Sequence, residues 1–286
     1  MEWKGRRQSR NIEDRRQTGG RSGARTASVG GAGAIVVVLL ALFLGVDPSQ
    51  LLGPGGIGGG QDSGPVELTE ADRQAGEFVA VTLADTEEIW TAVFRDQLNR
   101  TYRPTTLVLF KDHTPSACGG ASEATGPFYC PADKKVYLDT AFFTTLSQRL
   151  GAKGDFAAAY VVAHEVGHHV QDELGILSKA NQIRQQVSEA ESNGISVRIE
   201  LQADCLSGIW ARAAAQDLGT IEPGDLEEAV GAARQIGDDT LQRNAGRRPM
   251  PHTFTHGTSE QRSRWFLTGL KSGRISDCDT FSTDDL

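Results

Sequence analysis

Cysteine is scarce in this chain: four residues in 286, none of them paired as C-x-x-C. That absence excludes the close thiolate spacings of cysteine-based zinc sites, and Cys118 and Cys130 have no histidine at metal-site spacing nearby. An overall excess of positive charge is also missing. The net charge is −8, and an acidic body is a poor electrostatic match for phosphate, so nucleic acid is excluded as a partner. No internal repeat is found, which leaves out repeat architectures. Long uncharged hydrophobic runs are absent too, with the exception of residues 29–46.

The charge is unevenly spread. Residues 1–30 carry eight Lys/Arg against three acids, leaving 21 basic and 34 acidic side chains, a net −13, for the remainder. Residues 1–28 are polar, rich in Arg, Gly and Ser and without periodicity, the composition of a disordered segment. Residues 29–46 include Ala34-Ile-Val-Val-Val-Leu-Leu-Ala-Leu-Phe-Leu44. As a helix the run spans about 27 Å, close to the hydrocarbon thickness of a bilayer. A cleaved signal peptide is the competing reading, but the run is long for one and lacks a clear small-x-small cleavage site. The positive flank predicts a single-pass transmembrane helix with a cytoplasmic N-terminus and an extracytoplasmic body. Residues 47–65, rich in Gly and Pro, read as a tether, and residues 66–286 as the globular domain. Disulfides suit an oxidising compartment: Cys118 with Cys130 would close a small loop, and Cys205 and Cys278 remain as a long-range pair. Spacing alone does not establish that connectivity.

Thr69-Glu-Ala-Asp72 has the form of a capping box and opens a helix to about Val81; Asp85-Thr-Glu-Glu88 opens a second, to Leu98. Thr105–Phe110 and Lys135–Asp139 are β-branched or apolar strands. From Ala141 onward the pattern is helical, over Ala141–Leu150, Asp155–Leu174, Ser178–Ser192, Ile195–Gln216, Pro223–Asn244 and Ser259–Leu270. A few strands followed by many helices predict an α+β, helix-dominated domain.

Within the second of those segments lies His164-Glu165-Val-Gly-His168, an H-E-x-x-H pattern. Four helical residues turn through about 400°, so His164 and His168 share one face and can both ligate a tetrahedral zinc. Glu165 stands off that line, where it can hold a water as general base. The neighbouring His169 faces away and reads as a core or hydrogen-bonding histidine. Zinc needs a third protein ligand. The metzincin continuation is ruled out, since positions 171 and 174 hold Gln171 and Leu174. His252 and His256 are distant candidates. The better one is Glu200, which shares a face with Asp204 at i, i+4 on an apolar helix, so that Glu200 binds the metal while Asp204 orients a ligand imidazole. His256, in a Pro- and Gly-rich loop, is a candidate for stabilising an oxyanion, with Tyr137 a weaker one.

Taken together, Cys118-Gly, Gly126-Pro-Phe-Tyr-Cys-Pro131, Val136-Tyr-Leu-Asp139, His164-Glu-Val-Gly-His-His-Val-Gln171, Glu200-Leu-Gln-Ala-Asp-Cys205 and Thr255-His-Gly-Thr-Ser-Glu-Gln-Arg262 resemble the putative neutral zinc metallopeptidase family of bacteria, the YpfJ-type proteins. The resemblance runs from about Glu77 to Phe281. It implies a zincin-like, specifically gluzincin-like, fold with one Zn²⁺ per chain on His164, His168 and Glu200, and Glu165 as base. It also implies a short strand on the cleft rim, for which Lys135–Asp139 is the candidate, and a peptide or protein substrate. The expected activity is peptide-bond hydrolysis by a zinc-activated water, with the protein anchored in the cell membrane. The alternatives are a catalytically silent, membrane-tethered zinc-binding module and a zinc amidase acting on cell-wall peptides.

Overall fold

The computed structural model describes residues 1–17, 67–122, 125–148 and 150–286. Strand β1 (Ile12–Asp14) comes first, followed by helix α1 (Glu70–Leu98) and the strands β2 (Thr106–Phe110), β3 (His113–Ser116), β4 (Gly119–Ser122), β5 (Phe128–Cys130) and β6 (Lys135–Asp139). The helices α2 (Phe142–Gln148), α3 (Asp155–Glu173), α4 (Ile176–Arg184), α5 (Glu189–Ala213), α6 (Asp225–Gln235), α7 (Asp238–Asn244) and α8 (Ser259–Ser272) complete the domain. The α+β, helix-rich architecture agrees with the expectation from the sequence.

A mixed sheet in the order β1-β2-β6-β5 carries parallel pairs β1–β2 and β2–β6 and the antiparallel pair β5–β6. Because side chains alternate across a sheet, Leu107, Leu109, Val136 and Leu138 face one side and join the core formed with α1, α3 and α5. Val108, Phe110 and Tyr137 face the other side, where they pack with Ala121 of the β3–β4 hairpin and Cys130. The Lys135–Asp139 strand is therefore interior, flanked by β2 and β5, and the sheet edge beyond it is β5.

Several boundaries differ from the sequence pattern for local reasons. The Thr69–Asp72 capping box is present, but α1 runs on through position 85 as one helix. No Gly or Pro interrupts it there; Asp85 pairs with Arg6 at 2.5 Å, and the Thr86 hydroxyl donates back to the Leu83 carbonyl at 2.7 Å instead of capping a new helix. Ser188 caps α5 through its own box with Glu191, so the break falls before Ser192, not after it. Gly237 divides the expected Pro223–Asn244 helix into α6 and α7.

The N-terminal segment is the largest departure. Residues 1–17 are not a free basic tail: β1 pairs with β2, and Met1 is buried with its amino group 2.7 Å from Asp155 and 3.2 Å from Asp225. The basic residues have partners on the domain. Arg6 meets Asp85, Arg7 donates to the Ala84 carbonyl at 2.6 Å, and Arg16 donates to the Asp72 carbonyl. Segments of one sheet cannot lie on opposite sides of a bilayer, so the arrangement with a cytoplasmic N-terminus and an extracytoplasmic domain does not hold. No helix among the described residues is long and apolar enough to cross a membrane. The expected transmembrane helix at 29–46 and the tether at 47–65 lie outside the described residues, and the single-pass, membrane-anchored reading is withdrawn.

Cysteines pair as Cys118–Cys130 and Cys205–Cys278. Peptide mapping under non-reducing conditions should recover these two bridges; crossed pairs or free thiols would contradict the fold at both places. At the start of α1, partial burial opposes the charge of Asp72, but hydrogen bonds from the Thr69 side chain and backbone and the Lys111 ammonium hold it at about 2, below its ordinary 3.8. A carboxylate held low stabilises the fold above its unfolded value and loses that contribution as pH falls through the folded one. Asp72→Asn should therefore cost about 1 kcal/mol in urea unfolding at neutral pH. The difference from the parent should shrink between about pH 4 and pH 2; an equal difference at all pH values would rule out the charge as its source.

Candidate active site

The site forms where α3 crosses α5. Gly167, between the two motif histidines, lies against Ala203 of α5: a Cβ at 167 would sit 3.1 Å from the Ala203 carbonyl oxygen. This approach brings the imidazoles of α3 against the carboxylates of α5. His164 Nε2 is 3.1 Å from Glu200 Oε2, and His168 Nε2 is 3.6 Å from Glu200 Oε1. Ligand atoms from all three residues lie within 4.8 Å of one another.

Each histidine is oriented by its other nitrogen. His164 Nδ1 donates to Asp204 Oδ1 at 2.9 Å, because a carboxylate can only accept. His168 Nδ1 donates to Gln171 Oε1 at 2.8 Å, and Gln171 is itself fixed by donating to the Ile199 carbonyl and to Gln202. Both Nε2 atoms are thereby turned toward Glu200 as a pair of nitrogen donors facing an oxygen donor. Tetrahedral zinc with bonds of about 2.0–2.1 Å spaces its ligand atoms about 3.3 Å apart, and the 3.1 and 3.6 Å distances to the two oxygens of the Glu200 carboxylate each lie near that spacing. The donor set fits zinc.

The electrostatics favour a cation. Burial opposes a charged His164, yet the carboxylate of Asp204 and the hydrogen bonds to Asp204 and Glu200 outweigh it and raise the imidazole to about 9. Burial likewise opposes charge on Glu200, but the imidazoles of His168 and His256 hold it well below the ordinary carboxylate range. Glu165 differs. It is buried, burial raises it, and its carboxylate makes no hydrogen bond among the described residues. An untethered carboxylate beside a cation site is free to accept a proton.

Of the other expected residues, His256 is brought near: its charge acts on Glu200, and its Nδ1 lies 3.0 Å from the Thr255 hydroxyl and 3.4 Å from Asp238 Oδ1. His252 is exposed, with its carbonyl accepting from Asn193. Tyr137 lies on the far face of the sheet, donating to Asp133 at 2.7 Å, and is not part of the site. His169 is buried against the sheet, with Nε2 donating to the Arg103 carbonyl at 2.7 Å.

Residues 1–281 match the family described as putative neutral zinc metallopeptidase. The chain belongs to that family. It is 44% identical over 287 aligned positions to the uncharacterized protein YpfJ of Escherichia coli K12, covering 98% of this chain and 99% of the relative. It is 39% identical over 259 positions, 86% of each, to the uncharacterized proteins Mb2605 of Mycobacterium bovis and Rv2575 of Mycobacterium tuberculosis. No solved structure matches the chain. The family's description names zinc and peptide-bond cleavage, which makes peptides or proteins the substrate class.

Four residues of this family member take part in the site without having been assigned a role from the sequence. Gln171 registers there as a departure from the metzincin pattern and as the end of a family motif, without a role, although its place three residues after His168 on a helix is a usable signal. Tyr160, one turn before His164, donates to Asp204. Asp238 accepts the backbone N–H groups of Thr255, His256 and Gly257 at 2.8, 2.6 and 3.0 Å and so shapes the loop that carries His256. Arg262 pairs with Asp204. Glu200→Ala should abolish stoichiometric zinc binding by elemental analysis of the purified chain. Undiminished zinc in that variant would remove Glu200 from the ligand set.

Proposed function

We propose that this chain is a zinc-dependent peptidase in which His164, His168 and Glu200 hold the metal and Glu165 is the general base. The observation that supports this most directly is the division of labour among the three carboxylates at the crossing. Glu200 faces both Nε2 atoms, Asp204 is committed to His164 Nδ1, and Glu165 has no hydrogen-bond partner among the described residues. A silent binding site has no use for a third, unengaged carboxylate. When bound, zinc supplies a Lewis acid and lowers the pKa of a water ligand to about 7. Glu165 orients the attacking water, takes its proton and delivers it to the leaving amine. Burial, which raises Glu165 above the ordinary carboxylate range, suits it to both transfers.

His256 is the candidate oxyanion donor. Asp238 fixes its backbone and lies beside its Nδ1, leaving Nε2 without a hydrogen-bond partner among the described residues. The charge of Glu200 helps raise its pKa, against the effect of burial, and favours the protonated, donating form. An extended peptide would be received at β5, whose outer side pairs with no strand among the described residues.

Glu165→Gln separates metal content from turnover. The zinc-loaded variant should retain its metal and its fold, while cleavage of a peptide library falls by about 10²–10⁴. Equal rates for parent and variant would remove Glu165 from the mechanism. A zinc-loaded parent that cleaves nothing in a broad library would remove the peptidase reading.

A further inference from the structure

Arg262 is 1% exposed, among the largest fully buried side chains, and sits in the first turn of α8, 58 residues after the acid it meets. Its Nε donates to Asp204 Oδ2 at 2.9 Å and its Nη2 to Asp204 Oδ1 at 2.9 Å, a two-pronged pairing of guanidinium with carboxylate. The same Nη2 reaches the Tyr160 hydroxyl at 3.3 Å, and Nη1 reaches the Ile236 carbonyl at 3.4 Å. Asp204, fully buried, accepts from Arg262 twice, from Tyr160 and from His164 Nδ1. Three of these four donors reach Oδ1 and one reaches Oδ2, and together they hold the plane of the carboxylate.

The helix that carries Arg262 is in turn packed closely against the helix that carries Glu200 and Asp204. Helix α8 lies directly on α5: a Cβ at Gly269 would sit 1.8 Å from the Cys205 carbonyl oxygen, and one at Gly208 would sit 2.0 Å from the Phe266 carbonyl oxygen. The Cys205–Cys278 bridge joins the residue after Asp204 to the segment that follows α8. Neither helix can shift without displacing the other.

Resting on the zinc site proposed above, the geometry points to Arg262 as a positioning residue: its planar fork sets the orientation of Asp204, which in turn aims His164 Nε2 at the metal. Neutralising Asp204 would need only a positive charge, and a lysine would supply it. Setting the carboxylate plane needs two parallel donors, which a lysine lacks. The two roles therefore separate in Arg262→Lys.

The test is a double-mutant cycle on the full chain: the unaltered protein, Arg262→Lys, Asp204→Asn and the double variant. Zinc affinity is read by chelator competition, the His164 tautomer by nitrogen NMR and folding by circular dichroism. Outer-shell partners of metal-bound histidine are typically worth about 10–100-fold in metal affinity. Arg262→Lys should weaken zinc binding by that factor and disturb the Nδ1–H form of His164 while keeping the helical signal. In the Asp204→Asn background the same substitution should change zinc affinity less than about threefold, because the carboxylate through which it acts is gone. Zinc affinity unchanged in Arg262→Lys, or reduced by the same factor in both backgrounds, would overturn the positioning role. Should Arg262→Lys not fold, Arg262→Gln, which keeps a planar N–H donor, is read in the same cycle; unfolding of both would assign Arg262 to the fold and overturn the proposal. An unaltered chain that takes no zinc would defeat the metal site and this inference with it. Zinc bound equally by parent and Arg262→Lys defeats the inference alone.

Discussion

The close crossing of α3 and α5 is the constraint on which the rest of the site depends. Two histidines on one helix and two acids on another form a cation site only if the axes approach until their side chains meet. Gly167 against Ala203 permits that approach. A larger residue at either place would push the helices apart, and the 3.1 and 3.6 Å separations between imidazole nitrogen and Glu200 would open by a similar amount. The bulk that stabilises the crossing is placed at its ends, as in the stacked Phe156 and Trp210 rings, 5.4 Å apart. Small residues stand where contact must be close and large ones where space must be filled.

Burying several ionisable groups at one crossing carries a desolvation cost that is met only by mutual pairing. Asp204 has Arg262 and His164; Glu200 has the histidines. Their charges are interlocked, so removing one member leaves an uncompensated charge in a largely buried cluster. A divalent cation fits this balance, since Glu200 faces both Nε2 atoms while Asp204 holds the opposite nitrogen of His164. Glu165 feels the charges of His164, His168 and Glu200 but forms no hydrogen bond with them among the described residues.

The helix that carries His164, Glu165 and His168 was legible because all three lie within one turn of a periodic segment, where spacing alone sets direction. Glu200 and Asp204 were legible for the same reason. Residues whose relation to the site is made by tertiary contact were not: Asp238 and Arg262 come from helices distant in sequence, and Gln171 has a spacing that carries meaning only once its acceptor is known. The three-residue strand Ile12–Asp14, with its two acids, has no strand signature; its place comes from β2. The membrane reading failed on the basic residues near the N-terminus. A positive flank beside a hydrophobic run suggests orientation in a bilayer, but Arg6, Arg7 and Arg16 answer acids and carbonyls on α1. Charge count does not distinguish a cluster facing lipid from one facing a protein partner.

Pairing β1 with β2 also changes what the covalent chain between them is for. Arg16 donates to the carbonyl of Asp72, so the described residues on either side of positions 18–66 meet side by side. Between two points that meet, the length of a connection enters the folding free energy only through the slow logarithm of loop closure. The strand is held by ladder hydrogen bonds to β2 and by the ion pair of Glu13 with Lys135. The described residues are thus organised as a body plus a complementing N-terminal segment that completes its sheet.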